Sequence, residues 1–428
     1  MTAVAAPPGG SPEHFDALES REPAERERDL MQRLPRLVLK AQSAHGFARI
    51  LAGVDANDVG SRAALARLPV TRKSDLKDLQ NTGPPFGGLA ATPIERLLRL
   101  YMSPGPIFDP EGRGEDWWRF ARPLWAMGLR AGQVVQNCFS YHFTPAAFMV
   151  EGGARKIGCP VIPAGTGNSE MQLQAIAGLK PSAYAGTPSF LKIIVEKALE
   201  SGADISSLKR ALVSAEALPP SLRAWFIERN IGTVLQVYGT ADLGSIAYET
   251  QTDGVVHPGL IVDEDVIVEI VRPGAGDTVD EGEVGEVVVT NFNADYPLIR
   301  FATGDLSAML AGASPCGRTN LRIKGWMGRA DQTTKVRGMF VHAGQVDAIT
   351  KRHPEIRRAR LVVHGAMGED AMTLHCEVDD PAACERDGAA HLVATIRDIT
   401  KLRGDVRFVA RGSLANDGKV IEDARSYE

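Results

Sequence analysis

The feature of the sequence that most constrains the fold is an alternation of short apolar runs with helical segments over residues 133–238. The apolar runs are VVQNCF, CPVIP, SAYAG, ALVS and TVLQVY, and the stretches between them repeat apolar residues at helical spacing. Such alternation favours a mainly parallel sheet with helices on its faces. The helix starts carry their own signals, because Pro188 and Pro219–Pro220 suit a first helical turn and Ser169–Gln172 fits a capping box.

The rest of the chain predicts a second, smaller domain. A Pro/Gly/Ala-rich start over residues 1–13 is predicted to be disordered, and residues 23–44 predict an amphipathic helix that could break at Pro35. Period-two alternation in DVIVEIV and GEVVVT predicts a β-rich subdomain at about residues 255–310. We therefore predict an α/β fold with a large N-terminal domain over residues 14–330, in which helices flank mainly parallel sheets. Residues 331–428 are predicted to form a small α+β C-terminal domain.

Composition excludes several classes of protein. The 48 Lys and Arg residues against 53 Asp and Glu give a net charge of −5, without the basic footprint of a nucleic-acid-binding protein. The five cysteines include no CxxC pair, so neither a disulfide framework nor structural zinc is indicated. The start has no signal-peptide pattern, and no apolar run reaches about 18 residues, the length of a membrane span. We expect a cytoplasmic protein that binds neither nucleic acid nor membrane.

Common catalytic motifs are missing, and polar loops after strand ends stand in their place. The chain has no GxSxG, HExxH, GxxxxGK[ST] or helix-opening GxGxxG motif. Instead Gln236–Asp242, Arg300–Asp305 and Gly328–Asp331 each bring polar groups next to a strand-like run. Parallel sheets bind ligands at their strand ends. Each fragment alone could be an ordinary turn, but the ordered series indicates a binding site.

Through these segments the chain resembles the adenylate-forming acyl-coenzyme A ligases, and among them the phenylacetate–coenzyme A ligase branch. The similarity extends from about Glu13 to Arg425 and is most specific between Gln236 and Gln345. The residues that carry it are Thr187–Phe190, Ser214–Ala217, the YGTAD sequence, Tyr296–Asp305, Gly328–His342 and Gly418–Lys419. The resemblance implies that a small carboxylic acid and ATP form an acyl-adenylate and pyrophosphate, and that coenzyme A then displaces AMP. It also implies Mg²⁺ as a cofactor and a mobile C-terminal domain.

The resemblance assigns catalytic roles residue by residue. Lys419 would bridge the acid and the α-phosphate during adenylation, and Thr240 would contact the same phosphate. Asp331 takes the hinge position. Rotation there would withdraw Lys419 and bring the strand from Lys335 to Gly338 to the active site, where the glycine lets the pantetheine arm pass close to the backbone.

The resemblance also implies the nucleotide-binding residues. Asp305 would accept hydrogen bonds from both ribose hydroxyls, and Arg329 would lie near the ribose and phosphate. Asp242 stands where relatives have the glutamate that holds Mg²⁺, although its shorter side chain counts against a direct contact. The residues that would flank the adenine are Ser214, Ala215, Glu216, Ala217, Tyr238 and Gly239. Core packing of the alanines is the alternative interpretation.

The acid pocket is predicted directly after the strand-like run VVQNCFS. Its residues would be Tyr141, His142, Phe143 and Thr144, with help from Tyr184–Thr187, which includes Gly186, and from the Ala164–Asn168 turn. Aromatic lining suits an aryl or arylacetic acid. For His142, a structural hydrogen bond is an equally good interpretation.

The chain departs from the family in the loop that grips the β- and γ-phosphates. Relatives use a Ser/Thr/Gly-rich loop ending in lysine, whose N–H groups form an anion nest. The matching stretch, Tyr101–Pro110, retains Ser103 and Gly105 as candidate phosphate ligands but carries three prolines and neither threonine nor lysine. Arg113 and Arg119 could supply the missing charge.

Two alternative functions stay open at this point. The adenylate could pass to a carrier-protein thiol, or the chain could be a non-catalytic nucleotide or acyl-coenzyme A binding protein with a decayed phosphate loop. Lys419, Asp305 and Asp331 favour catalysis, because a binding protein needs neither a bridging lysine nor a hinge. A homodimer is expected from the family alone.

Overall fold

The computed structural model describes residues 10–83, 85–103, 106–330, 333–336, 339–365, 370–387 and 389–425. The chain divides into two compact units. The first comprises Met1–Val268, Val289–Phe301 and Leu310–Trp326, and the second comprises Glu269–Val288, Ala302–Met309 and Met327–Glu428. The domain boundary expected near residue 330 stays a prediction. None of the described helices is long and apolar enough to cross a membrane.

The helices are spread over both units. The described α-helices are α1 (Pro23–Gln42), α2 (His45–Ile50), α3 (Arg62–Ala66), α4 (Leu76–Thr82), α5 (Ala121–Ala126), α6 (Ala146–Ile157), α7 (Ser169–Leu179), α8 (Pro188–Ser201), α9 (Pro220–Ile227), α10 (Ala343–Lys351), α11 (Pro381–Asp387) and α12 (Ala390–Thr400). Short 3₁₀-helices cover Ala17–Ser20, Ala56–Asp58, Lys73–Asp75, Phe86–Gly88 and Ile94–Arg96.

The strands are mostly short. The described strands are β1 (Thr71–Arg72), β2 (Arg99–Ser103), β3 (Ile107–Glu111), β4 (Val135–Asn137), β5 (Val161–Pro163), β6 (Ala183–Gly186), β7 (Arg210–Val213), β8 (Thr233–Thr240), β9 (Gly244–Tyr248), β10 (Gln251–Thr252), β11 (Val255–Val256), β12 (Leu260–Val262), β13 (Val266–Val271), β14 (Gly285–Asn291), β15 (Phe301–Ser307), β16 (Met309–Leu310), β17 (Arg322–Ile323), β18 (Thr333–Val336), β19 (Met339–His342), β20 (Arg358–His364), β21 (Ala371–Val378), β22 (Asp405–Ala410) and β23 (Ile421–Asp423).

A nine-stranded sheet in the order β16–β17–β12–β9–β8–β7–β6–β4–β5 forms the centre of the first unit. Strands β5, β4, β6, β7 and β8 pair in parallel, and β8, β9, β12 and β17 pair antiparallel. Successive residues of a strand point to opposite faces. In β7, Leu212 packs in a core with residues of α5 and α6, whereas Ala211 and Val213 pack in a core with residues of α7, α8 and α9. Helices therefore cover both faces, which confirms the predicted α/β class.

The second unit contains a four-stranded sheet in the order β22–β21–β20–β23. Strands β20 and β21 are antiparallel, and the outer two strands pair in parallel. Helices α10 and α12 contribute Val346, Ile349 and Ile396 to a core shared with Leu361 and Leu374 of this sheet. Strands β18 and β19 form an antiparallel hairpin. A separate four-stranded sheet has the order β1–β15–β14–β13.

Two local predictions about helices were wrong. Helix α1 continues through Pro35, because buried residues such as Leu34 and Val38 hold its apolar face and offset the missing N–H. Helix α7 is capped by Asn168 and not by Ser169. The Asn168 side chain accepts a hydrogen bond from the helix backbone, and its left-handed conformation, with φ of 44°, is one that asparagine tolerates well.

A buried ion pair joins the start of the chain to the body of the first unit. Arg318 Nε donates to Glu19 Oε1 at 2.6 Å, and Tyr248 Oη donates to the same oxygen at 2.5 Å. Both charged side chains are almost completely buried. The backbone N–H of Phe15 donates to the other Glu19 oxygen at 2.5 Å. One carboxylate therefore fixes three segments that are far apart in sequence.

Replacing Arg318 by Leu is expected to lower the free energy of unfolding by about 3–5 kcal/mol, because the Glu19 carboxylate would stay buried without its partner. Chemical denaturation measures the effect. Arg357→Leu is the matched control, since the Arg357–Asp379 pair is exposed on both sides and its loss is expected to leave the denaturation midpoint unchanged. Equal effects of the two substitutions would contradict the prediction.

Candidate active site

The YGTAD sequence forms the tip of the antiparallel β8–β9 hairpin. Thr240 pairs with Gly244 and Gly239 with Ser245, and a bulge follows Tyr238. Position 239 has room only for glycine, because a Cβ there would lie 2.4 Å from the Gly244 carbonyl oxygen. The Thr240 hydroxyl accepts a hydrogen bond from the Leu243 N–H at 3.2 Å, which fixes its position at the turn.

Arg119 stabilises this turn through hydrogen bonds to its backbone. Its guanidinium donates to the Leu243 carbonyl and, at 3.0 Å, to the Ser245 carbonyl, and its Nε lies 3.4 Å from Asp263. The charge predicted to serve phosphate is therefore used to build the turn. Arg113 is exposed, and its Nε donates to the Arg96 carbonyl at 3.2 Å.

The segment predicted to flank adenine lies at the carboxyl ends of neighbouring parallel strands. The Ser214 hydroxyl donates to the Val237 carbonyl at 2.7 Å, and the Ser214 N–H donates to the Gly186 carbonyl at 3.2 Å. These bonds bring Ser214 after β7, Gly186 of β6 and Val237 of β8, next to Tyr238, together at one edge of the sheet. Ala215 has a left-handed φ of 68°, which costs free energy for a residue with a Cβ and is typical of functional turns.

Glu216 connects the same edge of the sheet to the start of helix α8. Its carboxylate accepts hydrogen bonds from the Ser189 hydroxyl at 2.9 Å and from the Ser189 N–H at 3.2 Å. An acidic side chain at a helix N-terminus is favoured by the helix dipole. Ala217, next along the chain, is exposed. The structure thus joins the Thr187–Phe190 and Ser214–Ala217 segments, which the sequence could only mark separately.

The aromatic loop predicted to bind the acid follows β4. Tyr141 is anchored, since its hydroxyl donates to Glu151 at 2.8 Å and accepts from Asn137 at 2.9 Å. The His142 and Phe143 rings stack edge to face with centroids 4.6 Å apart, and 58% of Phe143 is exposed. Phe143 adopts a left-handed φ of 63°. The Phe143 ring is therefore exposed on a backbone conformation that is rare for a residue with a Cβ.

Two more of the predicted pocket residues have clear local roles. The Thr144 hydroxyl donates to the Ser140 carbonyl at 3.2 Å and closes the aromatic loop. Gly186 leaves room for the Tyr184 ring, because a Cβ at Gly186 would lie 2.2 Å from the Tyr184 hydroxyl oxygen. That hydroxyl donates to the Thr187 carbonyl at 3.0 Å.

The stretch that matches the phosphate loop forms a β-hairpin. Strands β2 and β3 pair from Arg99–Glu111 to Ser103–Ile107. The Phe108 backbone N–H and carbonyl both bond to the Gln80 side chain at 2.8 Å, and the Met102 N–H donates to the Phe143 carbonyl at 2.9 Å. The flanking backbone is therefore already hydrogen-bonded, unlike an open anion nest.

A buried cluster links this hairpin to the YGTAD turn. Lys73 Nζ lies 2.6 Å from Asp242 Oδ2, and the Ser103 hydroxyl donates to Asp109 Oδ2 at 2.9 Å. The Asp109 and Asp242 carboxyl groups are close enough to interact electrostatically, and like charges in one buried site favour protonation of one of them. Burial, and then the neighbouring Asp242 carboxylate, raise the pKa of Asp109 well above its ordinary value. The Tyr296 hydroxyl is buried beside this pair, and burial followed by the two carboxyl groups raises its pKa too. We call Lys73, Asp109, Asp242, Ser103 and Tyr296 the Lys73 cluster.

The donor set at Asp242 does not fit Mg²⁺. One Asp242 oxygen bonds to an ammonium group, and the side chain is fully buried. Mg²⁺ in enzymes keeps several of its waters and binds accessible carboxylate oxygens. Among the described residues, no group of three or more His, Cys, Asp or Glu side chains could hold a metal ion.

In the second unit the structure brings Asp305 and Arg329 together. Residues 304–306 pair antiparallel with residues 328–330, through a bridge between Asp305 and Arg329 and hydrogen bonds on either side. Arg329 Nη1 donates to Asp305 Oδ1 at 3.1 Å. The Arg329 side chain is half exposed, whereas the Asp305 side chain is 12% exposed.

Lys419 follows a tightly packed glycine in the same unit. Gly418 has a left-handed φ of 71°, and a Cβ there would lie 2.6 Å from Val284. The Lys419 N–H donates to Asp417 and its carbonyl accepts from Arg360 Nε, both at 3.0 Å. The side chain is exposed, and no described carboxylate pairs with its ammonium.

Three predicted residues, Gly105, Asp331 and Gly338, lie outside the described residues. Lys335 lies in β18 opposite Phe340. Sequence reasoning gave no role to Lys73, Asp109 or Tyr296. Asp109 and Tyr296 lie in segments that the resemblance marked, and the signal for Asp109 was an aspartate in a stretch where relatives place threonine and lysine. No sequence signal marked Lys73.

Comparisons with known proteins agree with this architecture. The AMP-binding enzyme family matches residues 118–293. The chain is 30% identical over 375 residues to phenylacetate–coenzyme A ligase of Thermus thermophilus, covering 84% of this chain and 83% of that protein. It is 31% identical over 312 residues to the Escherichia coli enzyme of the same name, covering 69% and 68%. An open conformation of 2-hydroxyisobutyryl-CoA ligase with 2-HIB-AMP and CoA matches with a TM-score of 0.71, 25% identity and coverage of 96% and 94%.

Fold and relatives together define an AMP-forming acyl-coenzyme A ligase, a class whose cosubstrates are ATP and coenzyme A. Within this class, the chain belongs to the phenylacetate–coenzyme A ligase family.

Asp109→Asn is expected to remove a pH-dependent loss of stability. In the wild type, the raised pKa of Asp109 lets the folded state keep its proton at pH values at which the unfolded chain, with the ordinary pKa of 3.8, has lost it. The free energy of unfolding therefore falls as pH rises above that value, by about 1.4 kcal/mol for each unit by which the folded pKa is raised. The neutral amide imitates the protonated acid, so the variant should gain stability relative to the wild type as pH rises.

Denaturation at several pH values from about 4 to 8 measures this difference. Asp58→Asn, at an exposed aspartate of the same unit, is the control and should show a constant difference. A constant difference for Asp109→Asn as well would contradict the raised pKa of Asp109.

Proposed function

We propose that the chain activates an aromatic or arylacetic carboxylic acid with ATP and transfers the acyl group to coenzyme A, releasing AMP and pyrophosphate. The observation that carries this substrate class is the exposed Phe143 ring on its strained backbone, beside His142 and at the carboxyl end of a parallel strand. Ligands of such sheets bind at this edge. The matched phenylacetate–coenzyme A ligases support the same class.

Adenylation makes the acid carbon electrophilic by attaching AMP as a leaving group. The acid oxygen attacks the α-phosphorus, the bond from that phosphorus to the pyrophosphate oxygen breaks, and pyrophosphate leaves. Two anions must approach each other, so positive charge at the phosphorus is the main catalytic requirement. Coenzyme A thiolate then attacks the acyl carbon, and AMP leaves with the electron pair of the broken C–O bond.

Lys419 is the proposed source of positive charge in the first step. Its backbone is held by Gly418, Asp417 and Arg360, while its ammonium is exposed and unpaired among the described residues. A lysine with a fixed backbone and a free head group acts as a movable point charge. Rotation about Asp331, with Lys335 and Gly338 replacing Lys419, remains part of the proposal for the second step.

Asp305 is proposed to bind the ribose hydroxyls. Arg329 holds one of its oxygens at 3.1 Å and so orients the carboxylate. On this proposal, Thr240 contacts the α-phosphate, and the Ser214–Ala217 segment with Tyr238 and Gly239 flanks the adenine. The bond between Ser214 and the β8 carbonyl supports placing these segments at one site.

Acid-dependent exchange of pyrophosphate into ATP tests the substrate class and the use of ATP together. The library should include phenylacetate, benzoates and short hydroxy acids, because a structural neighbour is a 2-hydroxyisobutyryl-CoA ligase. Aryl or arylacetic acids are expected to support exchange, and coenzyme A should then yield the thioester. A response confined to short hydroxy acids would overturn the aromatic assignment.

Lys419→Ala is expected to lower the exchange rate by about 10²–10³-fold, the effect of removing one group that stabilises a developing anion. Lys401→Ala is the matched control, because Lys401 is an exposed lysine of the same unit, and it should retain wild-type exchange. Wild-type exchange by Lys419→Ala would remove this residue from the reaction.

Asp305→Asn is expected to raise the KM for ATP by about tenfold or more, because hydrogen bonds to a charged group are worth about 1.5–3 kcal/mol. The KM for the acid should change little, since the acid does not contact the ribose. Initial-rate kinetics separate the two constants. Asp277→Asn, at an exposed aspartate of the same unit, should leave both unchanged. A selective effect on the acid would reassign Asp305.

A further inference from the structure

The Asp242 carboxylate already has a cation. The Lys73 ammonium lies 2.6 Å from Oδ2, a short charge-assisted contact. The lysine side chain is 25% exposed and the aspartate side chain 0% exposed. The buried carboxylate is therefore paired with the partly exposed lysine, and it also interacts electrostatically with Asp109.

The pair is also balanced in charge. The Lys73 ammonium offsets the negative charge of the Asp242 carboxylate at 2.6 Å. Buried charges are tolerated when they are paired and hydrogen-bonded in this way. A divalent cation would have to displace the lysine to bind the same carboxylate oxygen.

The chain holds this arrangement from several directions. Asp109 is fixed in the β2–β3 hairpin by Ser103, and Asp242 is fixed in the β8–β9 turn that Arg119 supports. Lys73 comes from the first turn of the 3₁₀-helix after β1. The lysine is thus a structural partner of the turn and not a loose surface side chain.

We propose that the Lys73 ammonium takes the place of a divalent metal at Asp242, so that this chain carries its own cation there and does not recruit Mg²⁺ through Asp242. Its catalytic meaning rests on the proposed function: Mg²⁺ would then enter bound to ATP, and Lys73 would be a positioning residue for the turn that contacts the α-phosphate.

The proposal predicts a gain of metal binding on removal of the lysine. Without the ammonium, Asp109 and Asp242 remain as two adjacent carboxyl groups, which are hard oxygen ligands for Mg²⁺ or Mn²⁺. Lys73→Met should therefore create a site that the wild type lacks.

Titration of the nucleotide-free protein with Mn²⁺, followed by the electron paramagnetic resonance signal of free Mn²⁺, tests this directly. Wild type, Asp242→Asn and Lys73→Arg are expected to give the same weak binding. Lys73→Met should gain one site at least tenfold tighter, and Lys73→Met/Asp242→Asn should lose it again. Neither ATP nor an acid is present, so the result does not depend on the proposed substrate.

Two outcomes would overturn the proposal. The first is a wild-type Mn²⁺ site that Asp242→Asn abolishes. The second is a folded Lys73→Met variant without a new site. Circular dichroism checks that each variant folds. If Lys73→Met does not fold, Lys73→Gln is titrated with Mn²⁺ in its place. The Mn²⁺ affinities of wild type, Lys73→Arg and Asp242→Asn are compared in either case.

Discussion

The ion pair between Lys73 and Asp242 is the interaction on which the architecture of the candidate phosphate region depends. It joins two segments 169 residues apart, and through Asp109 it joins them to a third. A buried ion pair is strong because the surrounding protein screens the charges less than water does. Each charged group is costly to bury without its partner, so the pair is stable only when all of its members are in place. The hairpin, the turn and the segment after β1 are therefore expected to be stable only as a set.

The parallel strands were the part of the fold that could be predicted well. Residues of β4, β5, β6, β7 and β8 form apolar runs between clear helix starts, and such signals are local. The resemblance to the ligase family extended this prediction to the fold class and the enzyme class. Local rules failed where tertiary packing decides, as at Pro35 within α1 and at the Asn168 cap of α7.

The candidate site was predictable only in part. The sequence marked Asp305 and Arg329, and the structure brings them to 3.1 Å. The sequence could not show that Arg119 hydrogen-bonds to the carbonyl groups of the turn, or that Lys73 and Asp109 both lie close to Asp242. These contacts depend on which segments are neighbours in the folded protein. The spacing of residues along the chain does not predict those neighbours. The roles of Lys419, Thr240 and Asp331 stay predictions.

The β2–β3 hairpin has a consequence for how a nucleotide would arrive. Glycine-rich loops lose much conformational freedom when they close on phosphate, and that loss opposes binding. Here the backbone on both sides of the turn is already tied, by Gln80 on one edge and by the Phe143 carbonyl on the other. The strands would therefore already be ordered when the triphosphate arrives. Binding would not carry the entropy penalty of ordering them.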